Sequence, residues 1–119
     1  MDQLVKAKID QAEAFFYKAK EELCKPQEDV VSYSVCQSSY NSVVNYLESF
    51  LLDNNGSMPE SSSVQALLES CRKLDVKFKE LHLAPLYHPT QVEDVWMNMD
   101  TAQDFLAMAQ NTRQIVNGA

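Results

Sequence analysis

Apolar side chains recur along this chain at steps of three and four residues, the signature of helices with one buried face. Val5, Ile9, Ala12, Phe16, Ala19 and Leu23 make the first such seam and predict a helix over residues 2–24. Lys6, Lys8, Glu13, Lys18 and Glu22 fall mostly on the other side and read as its solvated face. Pro26 ends it, because proline disfavours a helical residue before it. After a turn over residues 26–28 comes the stretch around which the chain is organised, residues 29–53, DVVSYSVCQSSYNSVVNYLESFLLD. It holds no lysine or arginine, and Glu48 is its one interior charge. Cys36, Tyr40, Val43, Val44, Leu47, Phe50 and Leu51 mark its buried stripe, flanked by Ser38, Ser39, Ser42 and Ser49. So little charge predicts a central helix covered by its neighbours.

Asn54-Asn55-Gly56 breaks that helix, and residues 54–63 read as a loop. A third helix starts near Ser62 or Ser63, either a sound N-cap, with Val64, Leu67, Leu68, Cys71 and Leu74 inward. Residues 75–82 continue it by a turn or two, with Phe78 and Leu81 inward. Residues 83–89, LAPLYHP, form an irregular connection. Two starts compete for the last helix. Thr90-Gln91-Val92-Glu93 has the form of a capping box, while Asp100 marks a later start that leaves Trp96 to Met99 as loop. The inward positions are Trp96, Met99, Phe105, Leu106, Ala109, Ile115 and Val116, and Asn117-Gly118 is the stop. Brief connections between long helices predict an all-α, antiparallel up-and-down four-helix bundle with a short extra helix, in a single domain over residues 1–119.

Charge adds a constraint on partners. Net charge is −7, from ten basic and seventeen acidic residues, and its distribution is uneven. Residues 26–71 contain no lysine or arginine; Arg72, Lys73, Lys77 and Lys79 then cluster, and Arg113 is the one basic residue beyond 83. Such a surface repels phosphate backbones except near the cluster, which disfavours nucleic acid as a partner. No run of apolar residues is long enough to span a membrane, and the charged, periodic start lacks the apolar core of a signal peptide. The expected location is cytoplasmic. Cys24, Cys36 and Cys71 are odd in number and widely spaced, so they read as reduced thiols.

Chemistry is excluded more readily than assigned. Glycine at 56 and 118 alone leaves no phosphate-binding loop and no dinucleotide fingerprint. His82 and His88 flank prolines without metal-ligand spacing, so no metal and no cofactor is expected. No catalytic residue can be assigned. Tyr33 and Tyr40 share a face of the central helix, with Cys36 and Gln37 between; with Tyr46 and Tyr87 they are either core aromatics or the wall of a cleft.

LVKAKIDQAEAFFYKAKEEL, SYSVCQSSYNSVVNYLESFLLDNNG, SSSVQALLESCRKL, LYHPT and MDTAQDFLAMAQNTRQIV occur here in the order and character of the helices of the HEPN domain (higher eukaryotes and prokaryotes nucleotide-binding), which the whole chain resembles. The resemblance implies a homodimer, a nucleotidyltransferase or other protein partner of the toxin–antitoxin kind, and a nucleotide ligand. Nuclease members cut RNA with an R-x4-6-H motif, which is missing: nine residues separate Arg72 from His82, and no histidine follows Arg113. Asn41, Asn45 and Tyr46 stand where the family's second helix carries glutamate and lysine. The reading is therefore a noncatalytic binding module, with Tyr33, Tyr40, Tyr87, His88 and Arg113 as candidate ligand-binding residues. The alternatives are a diverged ribonuclease toxin, using His88 or His82 with Arg113, and a helical scaffold unrelated to the family.

Overall fold

In the structure, a computed structural model, residues 3–54, 58–59, 63–86 and 98–117 are described. Among them are four α-helices: α1 (Gln3–Leu23), α2 (Ser32–Asp53), α3 (Val64–Leu74) and α4 (Met99–Val116). Short 3-10 turns at Gln27–Asp29, Val76–Glu80 and Ala84–Leu86 join them, and no described residue is in a strand.

α2 is the centre, packed against α1, α4 and α3. Its low charge is the reason: Val35, Cys36, Val43, Tyr46, Leu47 and Leu51 are fully buried, and so are Ser39 and Ser42. Those serines let α1 approach. Ser42 donates to the Ala12 carbonyl at 2.8 Å, and Lys8 reaches Glu48 at 3.2 Å, so α1 and α2 run antiparallel. Val5 and Ile9 at one end of α1 meet Val116 and Asn117, while Leu23 at the other meets Met99 and Gln103. α4 is therefore antiparallel to α1 as well.

The turn between α1 and α2 is held by Glu22, which accepts the Val31 N–H at 3.0 Å and pairs with Lys25 at 3.1 Å. Ser63 caps α3 by accepting from the Ala66 N–H, as expected of a serine there. Past α3 the backbone extends at Asp75 and enters the 3-10 turn, burying Phe78 against Phe50 with ring centroids 4.6 Å apart. Leu74 departs from the expected stripe and is 45% exposed, because α3 ends there and the chain turns.

Of the two starts for the last helix, the later one holds. Asn98 is extended (φ −96°, ψ 132°), and its carboxamide oxygen accepts from the Asp100 N–H at 2.7 Å and from the Thr101 N–H. α4 thus begins at Met99 and does not run on from Thr90; Thr90 and Trp96 lie outside the described residues. Glu13, Lys8 and Glu22 also correct the solvated-face reading of α1. Each is half-buried and bonded to another part of the chain, since α1 is flanked by α2 and α4.

Candidate functional site

The densest polar constellation in the described structure lies where α1, α2 and α4 meet. Arg113, near the end of α4, donates from Nε to both oxygens of Glu13, at 3.0 and 3.2 Å. Its Nη2 donates to the Tyr17 hydroxyl at 3.3 Å. Glu13 and Tyr17 are one helical turn apart on α1, so both face the same stretch of α4. The guanidinium also stacks over the Phe16 and Tyr17 rings, 5.3 and 5.8 Å from their centroids. Cation and carboxylate are each about a quarter exposed. The Glu13 hydrogen bond holds the Arg113 proton more firmly than usual.

Beneath the pair sits Tyr46 of α2, fully buried. Its hydroxyl has no hydrogen bond of standard geometry, although Glu13 and Arg113 lie beside it. Burial first, and then the neighbouring carboxylate, push its pKa up, so the phenol keeps its proton. Ser39, two helical turns earlier on the same face of α2, likewise buries an unpartnered oxygen. The constellation neutralises a charge and clamps three helices.

Of the candidate residues, Tyr33, Tyr40 and Arg113 lie within the described residues. Tyr33 stands in the first turn of α2 and is 39% exposed. Tyr40 is half-buried against the core, and burial pushes its hydroxyl up. Arg113 belongs at the level of Tyr46, about 20 Å of helical rise from Tyr33. Tyr87 and His88 lie outside the described residues. Among the described residues, shallow grooves are lined by Leu23 with Leu106 and Asn111, by Leu23 with Lys25 and Met99, and by Val5 with Phe50 and Val116. Two of them, of about 340 and 310 Å³, adjoin and share Leu23 and Gln103.

Sequence reasoning singled out Arg113 as a ligand-binding candidate and missed its pairing with Glu13 and Tyr17 and the role of Tyr46. The signal was faint: a lone arginine on the last helix, and a glutamate and a tyrosine four apart on the first. Among the described residues no cluster of His, Cys, Asp or Glu could hold a metal, and no helix is long and apolar enough to cross a membrane.

The helices, their order and the central α2 match what the resemblance implied. A family model described as HEPN domain matches residues 5–119. The chain belongs to the HEPN domain family. No curated protein and no solved structure gives a match. In this HEPN domain, then, the clamp of α1, α2 and α4 is built from Glu13, Tyr17, Tyr46 and Arg113. Its second arginine, Arg72, is also bound internally, donating from Nε to the Phe78 carbonyl at 3.2 Å and from Nη2 to the Leu81 carbonyl at 2.7 Å.

Proposed function

We propose that this HEPN protein is a noncatalytic binding module, which docks on a second copy or on a nucleotidyltransferase partner and does not cut RNA. One observation carries the reading: the chain has two arginines, and both are spent on holding its own fold. The R-x4-6-H nuclease site that the resemblance implies needs an arginine free to meet a phosphate as charge develops. Arg113 meets Glu13, and Arg72 meets two backbone carbonyls. The net charge of −7 opposes a polyanionic substrate further. A nucleotide would find space in the adjoining grooves around Leu23 and Gln103, near the lower size limit for small-ligand sites.

The test is incubation of the purified protein with total RNA, alongside light scattering with and without a nucleotide panel. Intact RNA and a dimer, or a nucleotide-dependent change in size, are the expected results. RNA cleavage that disappears in Arg113→Ala and His82→Ala variants would overturn the noncatalytic reading.

A further inference from the structure

We propose that residues 73–79 form a docking face for an acidic peptide segment studded with apolar side chains, carried by a partner protein. The inference rests on the reading of this domain as a binding module and names the chemistry of what it binds. Val76 is 70% exposed, the most exposed large hydrophobic side chain among the described residues, and Leu74 beside it is 45% exposed. Lys73, Lys77 and Lys79 alternate with them along the chain, and none forms an ion pair with a described residue. Asp75 lies between them, its carboxylate accepting the Lys77 N–H at 3.0 Å, so the face sets three lysines against Asp75 and the exposed Glu80. Exposed apolar side chains bordered by polar ones are where partner sites are sought.

The face is held in one shape. Arg72 ties α3 to the Phe78 and Leu81 carbonyls, spanning the whole turn. Phe78 is fully buried against Phe50, and the Lys77 ammonium lies 5.0 Å from the Phe50 centroid and 5.8 Å from that of Phe78. Little ordering entropy remains to be lost on binding.

Charge selects the occupant. Residues 26–71 carry no lysine or arginine, and Arg113 is already neutralised by Glu13. Outside α1, the only other lysine of the described surface is Lys25, which pairs with Glu22, so the three lysines of this turn outnumber Asp75 and Glu80 and favour an acidic segment over a basic one. Single-stranded RNA fits less well, because it binds through rings that stack on its bases. The two rings at this site, Phe50 and Phe78, are buried under Lys77.

A random peptide library displayed on phage, selected on the immobilised full chain, tests the assignment. Asp and Glu interleaved with Leu, Ile or Val should be enriched. A selected peptide, labelled and titrated, should lose affinity about tenfold on the Lys73→Glu/Lys79→Glu variant, as for two exposed ion pairs reversed. It should weaken also on Val76→Ser. All three side chains are exposed, so these variants keep the fold, which helical circular dichroism checks. Selection without acidic enrichment, enrichment that survives the charge reversal, or displacement of the peptide by a uridine oligonucleotide would each overturn the proposal. Those results leave the noncatalytic reading standing, because RNA cleavage alone decides that question.

Discussion

At Tyr46 the phenol ring fills the junction of α1, α2 and α4, but its hydroxyl is buried without a hydrogen bond of standard geometry. A buried hydroxyl left unpaired costs about 1–3 kcal/mol, whereas the ring contributes by packing. Removing the oxygen should therefore be neutral or favourable. Tyr46→Phe is expected to raise the free energy of unfolding by up to about 1 kcal/mol, read by urea denaturation at neutral pH. A clear loss of stability would mean that the hydroxyl is bonded to Glu13 after all. Arg113 shows how far residue chemistry can be read in advance. A solitary arginine among acids marks itself as significant, but its partner is a hundred positions away, and no local pattern pairs it with Glu13.

Between elements, the α1–α2 turn depends on one carboxylate. The Val31 N–H, and Lys25 after it, hold the Glu22 carboxyl below its ordinary 4.5. A depressed acid stabilises the fold above its unfolded value, and that contribution fades as pH falls through the lowered folded value. Glu22→Gln should lower the melting temperature at about pH 7, and should narrow its gap to wild type as pH drops below about 4. Thermal melts across that range check it, and a gap constant with pH would rule the mechanism out. Elements were the most legible scale of this chain. Steps of three and four matched α1, α2 and α3 to within a few residues, because most of each seam is buried, Leu74 at the end of α3 excepted. The ambiguity at α4 came from two competing caps, and the extended backbone at Asn98 decides it in favour of the later one.

On the scale of the whole domain, three cysteines report on burial. Cys24 is exposed, whereas Cys36 and Cys71 sit in the core, where burial pushes each thiol up to about 12. Only the thiolate reacts. Ellman's reagent should titrate one thiol in the native protein and all three in denaturant; rapid reaction of a second native thiol would show that α2 or α3 opens easily.

The antiparallel course of α1 and α4 brings Val5 and Ile9 beside Val116 and Asn117, in a groove that Phe50 also lines. Phe50 is the ring under Lys77. The start of α1 and the end of α4 therefore lie at one pole, near the lysine-bearing turn. A polypeptide tethered near the start of α1 or the end of α4 would be within reach of that turn, at an effective concentration on the order of millimolar for a short flexible tether. An acidic tether would then compete with a partner arriving from solution, and a neutral one would leave the turn open.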